Sequence, residues 1–401
     1  MSAPAPARPR LLTTPFVLAW LVNMLHGLSF FLFIHLPRFL TELGADEVVI
    51  GLIVAAAALA SIAIRPGVGS ALDRHGRRPA ILVGGALNAI SVPLYFTVSS
   101  VGPWLVAVRI LHGLSAALIF TSISTYGADQ VPEARRTQGV TLFAASSMLP
   151  AAIGGWVGDL VLGAGGFHGV LFAALGFATT ALLLSIPLPE QRPARAEAAP
   201  ARRRGSFRRA LTQRSLRPLW HLTLWVGVAL TGYSTFMRTY VDDTGVGSVG
   251  LFFAVYACTA VALRLFGGWV PDRFGRAWVL YPSLGAIAAG YLTLAFGSST
   301  ASTAVAGILC GGGLGYVYPL LFTGVVERGS VEERGSAMAA FSLFFDLGSL
   351  VGSPALGWVI LRFGYTAMFA TAGAVVALAA LAFAVWDGDL ALRRRPAAER
   401  P

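Results

Sequence analysis

The chain has little charge. Charged residues make up 12% of its 401 positions, about half the share of an ordinary soluble domain at ~25%. So few charges cannot coat a soluble body of this size, which excludes a cytosolic enzyme or a secreted domain. Lysine is absent, and all 30 basic residues are arginine. Only two cysteines occur, Cys258 and Cys310, both inside apolar runs. They provide neither a disulfide framework nor a metal-ligand spacing, and they are expected to be packing residues. No phosphate loop, metal cluster or nucleophile constellation is present, so no cofactor or metal is expected. Long polar stretches are also scarce, with a single one between 189 and 217.

What the chain has instead is apolar length. Apolar residues make up 56% and mean hydropathy is +0.70. A bilayer-spanning helix needs ~20 apolar residues. Segments of that length can be read at 14–37, 48–70, 79–98, 103–126, 140–161, 167–188, 218–239, 247–269, 277–297, 302–326, 337–361 and 366–386. The expected fold is an all-α membrane protein of twelve transmembrane helices. Residues 1–188 form an N-terminal six-helix bundle, 189–217 an Arg-rich linker, and 218–401 a C-terminal six-helix bundle with a short tail. The first segment follows Arg8 and Arg10 but is too long for a signal peptide's apolar core, and no small-residue cleavage site closes it. It is read as an uncleaved spanning helix.

The net charge of +11 suggests a nucleic-acid partner only until the arginines are placed. With the N-terminus in the cytoplasm, 24 arginines fall on cytoplasmic segments, nine of them in the linker, while only Arg38, Arg238 and Arg362 fall outside. Basic residues accumulate on the cytoplasmic side of membrane proteins. The distribution therefore predicts both termini inside, a multi-pass protein of a bacterial cytoplasmic membrane, the lipid bilayer as partner and no nucleic acid.

The two halves also repeat. IRPGVGSALDRHGRRPA in the first aligns with LRLFGGWVPDRFGRAWV in the second at an offset of 199, which maps Arg65 to Arg264, Gly69 to Gly268, Asp73 to Asp272, Gly76 to Gly275 and Arg77 to Arg276. At an offset of 198, Asp129 maps to Glu327, Arg136 to Arg334 and Gly154 to Gly352. A register kept over this length indicates two homologous halves related by an axis along the membrane normal.

The doubled G-x-x-x-D-R-x-G-R loop, together with R-I-L-H-G-L-S-A-A at 109–117 in the fourth helix, resembles the signature of the major facilitator superfamily over nearly the whole chain. The resemblance implies secondary transport of a small-molecule substrate by alternating access, with a central site between the bundles. Proton-driven drug exporters of this superfamily carry G-P-x-x-G-G in the fifth helix. Here the run is Leu149-Pro150-Ala151-Ala152-Ile153-Gly154-Gly155, with Leu for the first Gly and the Gly pair one residue late. The leading expectation is a monomeric, proton-coupled exporter of amphiphilic drugs or metabolites. The alternative is an importer of a sugar, organic acid or siderophore-like metabolite, and a third reading is a membrane-embedded enzyme or sensor.

Two pseudo-symmetric clusters, Asp73–Arg77–Asp129 and Asp272–Arg276–Glu327, are expected to latch the cytoplasmic side. Gly69 and Gly268 would allow close helix approach there, and the resemblance suggests that Asp73 and Asp272 cap the starts of helices eleven and five. Arg65 and Arg264, one turn before the motif glycines and within their helices, suit either snorkelling to the interface or the latch. Asp346 lies within FSLFFDLGSL, well inside an apolar segment, where a charge costs ~2.5–3.5 kcal/mol on insertion scales. It is the expected proton carrier. The resemblance links Arg109 to proton transfer or to substrate charge, and its fixed fork of donors suits a substrate carboxylate. His26 with Asn23, and His112 with Arg109, are spaced to share helical faces, and histidine titrates near physiological pH. The histidines are too scattered for a metal site. Trp225, Tyr233, Phe236, Tyr316 and Tyr318 are possible cavity aromatics.

Overall fold

The computed structural model describes residues 11–132, 135–190, 207–329 and 334–387. Among these residues the secondary structure is helical, without strands. Helices suit apolar sequence in lipid because they satisfy every backbone N–H and C=O within one segment.

The N-terminal half contains α1 (Thr14–Phe31), a 3-10 turn (Leu32–His35), α2 (Leu36–Glu42), α3 (Glu47–His75), α4 (Arg77–Leu94), a second 3-10 turn (Tyr95–Thr97), α5 (Pro103–Asp129) and α6 (Arg136–Ser185). The C-terminal half contains α7 (Arg217–Thr244), α8 (Val249–Phe266), α9 (Val270–Phe274), α10 (Arg276–Phe296), α11 (Thr300–Arg328) and α12 (Arg334–Trp386). Asp46 starts α3 by accepting a hydrogen bond from the Val49 amide at 2.8 Å, and Ser248 starts α8 by accepting from Leu251 at 3.0 Å. Such caps satisfy amides that lack an intrahelical partner.

Nine helices among the described residues are long and apolar enough to cross a membrane. Two of them are double. The 50-residue α6 breaks at Gly165–Gly166, where φ of Gly166 is 61°, and the 53-residue α12 breaks at Gly364, where φ is 80°. Both positive φ values suit glycine, and positions 166 and 364 differ by the repeat offset of 198. The 28-residue α7 is less apolar because Arg238, Asp242 and Asp243 lie near its end. Each of the twelve expected segments overlaps a helix, with 140–161 and 167–188 sharing α6 and 337–361 and 366–386 sharing α12. Residues 191–206 of the expected linker and 388–401 of the expected tail lie outside the described residues.

Within the first half α1 packs on α6, and α5 on α3 and α4; within the second, α12 packs on α7, and α11 on α8 and α10. The halves meet where α3 packs on α12, α6 on α8 and α2 on α7. Glycine permits these crossings. A Cβ on Gly51 would stand 2.4 Å from the Ser353 carbonyl oxygen, and one on Gly250 would stand 2.8 Å from Cα of Trp156. Gly51 and Gly250 are repeat mates, and Trp156 is the mate, at the offset of 198, of Pro354, whose Cα would lie 2.7 Å from a Cβ on Gly51. The sequence repeat is therefore also a repeat of contacts between the halves.

These crossings lie toward the arginine-poor face, which holds the 43–46 and 245–248 loops. The opposite, arginine-rich face holds the turns at Gly76 and Gly275, with φ of 90° and 92°. Gly250→Val is expected to lower transport roughly ten-fold while the protein still folds, because the added methyls block closure of α8 on α6 rather than packing within one half. Transport assays paired with a melting curve check this. Equal losses in folded yield and transport would instead mark a folding defect.

Candidate functional site

Three groups of polar side chains stand out, and each is positioned by a particular helix contact.

The first bridges the halves within the apolar zone. Asp346 of α12 faces α3. Its Oδ2 accepts from Arg65 Nη2 at 2.5 Å, Arg65 Nε at 2.6 Å and Ser61 Oγ at 3.2 Å. Arg65 and Ser61 are one turn apart on α3, so both reach the same carboxylate. The two charged side chains keep 22% and 23% of their exposure, which leaves the pair partly wet. Arg65 thus neither snorkels free nor joins the loop clusters. It neutralises the acid singled out from sequence.

The second group closes the arginine-poor face. Arg238 of α7 donates from Nη1 to Asp159 Oδ1 at 3.0 Å and from Nε to Asp242 Oδ2 at 2.9 Å. Asp159, on α6, also accepts the Gly250 amide at 2.7 Å through its other oxygen. Arg38 of α2 pairs with Glu42 and lies 3.5 Å from Asp242. Two arginines and two aspartates therefore join α2 and α6 of one half to α7 and α8 of the other. Sequence reading used Arg38 and Arg238 only as topology markers. The available signal was the acids near them, Glu42, Asp159 and Asp242, at the same ends of apolar segments.

The third group lies inside the first half. Asn23 donates to Ser146 Oγ at 2.7 Å and Ser147 Oγ at 2.8 Å on α6. His26, buried, meets Asn88 of α4 at 3.4 Å, and Asn88 donates to Ser29 at 3.2 Å. Asn23 and His26 therefore serve different neighbours, α6 and α4, although they are three residues apart. Arg109 Nη1 lies 3.5 Å from His112 Nδ1, which is 3.3 Å from the Tyr95 hydroxyl. The His112 ring stacks on Phe30. No carboxylate pairs with Arg109 among the described residues.

The loop clusters form in part. Arg77 pairs with Asp129 at 3.1 Å, and Arg276 makes a two-pronged pair with Glu327 whose second bond is 2.6 Å. Each pair joins helices of the same half, α4 to α5 and α10 to α11. Neither bond itself bridges the halves, because each arginine opens the helix packed beside the one its acid ends. Asp272 and Gly268 are exposed. Gly69 and the Asp73 side chain lie outside what is described, so their expected cap and close approach do not enter the geometry.

The aromatics divide. Tyr233 is buried against Phe252, Tyr256 and Tyr291, and Phe236 is fully buried. Trp225 donates to His221, which also contacts Trp386 at the end of α12. Tyr316 donates to the Gly267 carbonyl at 3.0 Å. Tyr318 is 37% exposed and packs on Phe341 and Phe345. Of the five, only Tyr318 adjoins the Asp346 group. No group of three metal-ligating side chains gathers among the described residues.

The Major Facilitator Superfamily profile matches residues 19–328 and 239–401. An uncharacterised MFS-type transporter of Burkholderia mallei (strain SAVP1) is 27% identical over 362 residues, which cover 86% of this chain and 85% of that protein. The staphylopine export protein of Staphylococcus aureus (strain Mu50 / ATCC 700699) is 24% identical over 344 residues, 84% of this chain and 86% of that protein. Among solved structures, the nucleoside transporter NupG superposes with a TM-score of 0.76 at 14% identity, covering 94% of this chain and 99% of that one. The human organic anion transporter MFSD10 superposes at 0.69 with 19% identity, covering 93% and 100%. At these identities the structures establish a shared fold.

Proposed function

Because the chain belongs to the Major Facilitator Superfamily, we propose that it exports a small amphiphilic organic solute across a bacterial cytoplasmic membrane by alternating access, in exchange for protons. The observation that carries this reading is the Arg65–Asp346 pair, which spans the two halves in the apolar zone. Protonating Asp346 removes the attraction that holds α3 to α12 at this depth, and deprotonation restores it. A proton taken up there can therefore bias the halves between two arrangements.

The arginine distribution supports a cytoplasmic position for the arginine-rich face. The Arg238–Asp159–Asp242–Arg38 network then forms the outer gate, drawn closed. Opening it requires the ion pairs to separate and the Gly51 and Gly250 crossings to part, and the released charges face water at the outer surface, where hydration offsets the lost pairing. The export direction is supported by the likeness to a staphylopine exporter and by Pro150, Gly154 and Gly155 in the fifth spanning segment. Arg109, His112, His26 and Asn23 hold the first half together around the pathway, and the Arg77–Asp129 and Arg276–Glu327 pairs keep each half rigid as it rocks.

The test is accumulation of a panel of fluorescent amphiphiles in cells with and without the protein. Export predicts roughly ten-fold higher accumulation of a substrate in cells that lack it, and a protonophore erases the difference. Lower accumulation in those cells would mean import.

A further inference from the structure

The central charges break the symmetry of the repeat. Arg65 and Arg264 are repeat mates, one on α3 and one on α8. Each points across the junction between the halves, α3 toward α12 and α8 toward α6. Arg65 meets Asp346. By the offset of 198 that relates Gly154 to Gly352, the mate of Asp346 is Met148. Arg264 meets that residue: its Nη1 lies 3.4 Å from Met148 Sδ, and its Nε donates to the Gly315 carbonyl at 3.3 Å. The geometry is duplicated, but the carboxylate is present on one side only. Among the described residues no acid pairs with Arg264.

Both sides lie near one residue of α11. Tyr318, on α11, lies within electrostatic range of Arg264, Arg65 and Asp346 together. Two arginines and one aspartate leave this group with one positive charge in excess. An uncompensated charge within the apolar zone is costly. A thioether and a single carbonyl occupy two of the five donors that a guanidinium carries, and the remaining donors suit a planar oxyanion.

We propose that Arg264 binds an anionic oxygen group of the transported solute, a carboxylate or a phosphate, at the junction of α6 and α8. The solute's anion thus takes the place that Asp346 fills on the opposite side. Met148 supplies an adaptable apolar contact for the carbon skeleton beside that group, and Tyr318, packed on Phe341 and Phe345, supplies an aromatic surface near both arginines. The solute is therefore an amphiphilic anion. Its arrival neutralises the excess charge and completes a second cross-junction pair, which draws α8 to α6 as Asp346 draws α12 to α3.

This inference rests on the reading of the protein as a transporter of organic solutes, and its test is one of equilibrium binding without a gradient. Loss of proton coupling would leave it standing, and its failure would leave coupling intact. The probes are 2-naphthoate and its uncharged analogue 2-naphthamide, added to the purified full chain in uncharged detergent and followed by calorimetry and melting temperature. Naphthoate is expected to bind the wild type about ten-fold or more tightly than naphthamide, the difference a charge-assisted pair supplies. Arg264→Gln removes that preference. Met148→Glu also removes it, although Arg264 is retained, because the new carboxylate occupies the guanidinium, and this variant melts at or above the wild-type temperature. Equal binding of acid and amide to the wild type would overturn the proposal. So would undiminished naphthoate binding in Met148→Glu, or phosphatidylglycerol in nanodiscs protecting the wild type while naphthoate does not, which would make the occupant a lipid headgroup.

Discussion

Replacing Asp346 by asparagine is expected to cut gradient-driven transport by roughly ten-fold or more while solute exchange without a gradient persists. Asparagine keeps the size and can still meet Ser61 and Arg65, but it carries no titratable proton. It imitates the protonated state permanently, so the halves can rock but no longer couple rocking to protons. The substitution also leaves Arg65 without its counter-ion. Breaking a fully buried pair costs about 3–5 kcal/mol, and exposed pairs contribute below ~1 kcal/mol. With both side chains about a fifth exposed, a loss of ~1–2 kcal/mol is expected. Exchange and gradient-driven rates measured side by side in proteoliposomes separate the two effects. If both fall together, Asp346 is a packing residue. A charge swap, Arg65→Asp with Asp346→Arg, should recover the melting temperature lost by either single change.

Arg238→Ala is expected to open the outer face. Arg238 is the hub of its network, bonded to both Asp159 and Asp242. Its removal leaves two carboxylates near each other at the junction, with Arg38 alone against Asp242. The attraction between the halves becomes repulsion, and the population shifts toward the outward-open arrangement. Phe31, which packs edge-on against Phe253 across the junction with ring centroids 5.1 Å apart, is a suitable reporter. In a Phe31→Cys variant freed of the native cysteines, Arg238→Ala should raise labelling by a membrane-impermeant maleimide roughly ten-fold, a shift of about 1.4 kcal/mol in the closed–open balance. Unchanged labelling would mean that the glycine crossings alone hold the outer face shut.

Much of the fold can be read in the sequence because lipid imposes strong rules. Apolar length marks the helices, and a repeated register marks the two halves. Even the doubled breaks at Gly166 and Gly364 follow the repeat. Less of the site can be read, because helical contacts between distant segments leave no local trace. Asp346 stands out as an intramembrane acid, but its partner is 281 positions away, and Arg65 alone looks like an interfacial arginine. The loop pairs Arg77–Asp129 and Arg276–Glu327 were visible as matching charges. That each lies within one half depends on which helices pack together. The outer network is hidden for a different reason: its arginines are the few that fall on the charge-poor side, where a count made for topology sets them aside as exceptions. The difference between Met148 and Asp346 could have been read from the repeat by asking which charges fail to recur as well as which do.

The most direct test of coupling through Asp346 is proton movement itself. In proteoliposomes carrying a lumenal pH dye, a gradient of a transported solute should drive proton flow in the opposite direction through the wild type and none through Asp346→Asn. Solute movement through the wild type without any pH change, or an undiminished pH change through Asp346→Asn, would contradict the account.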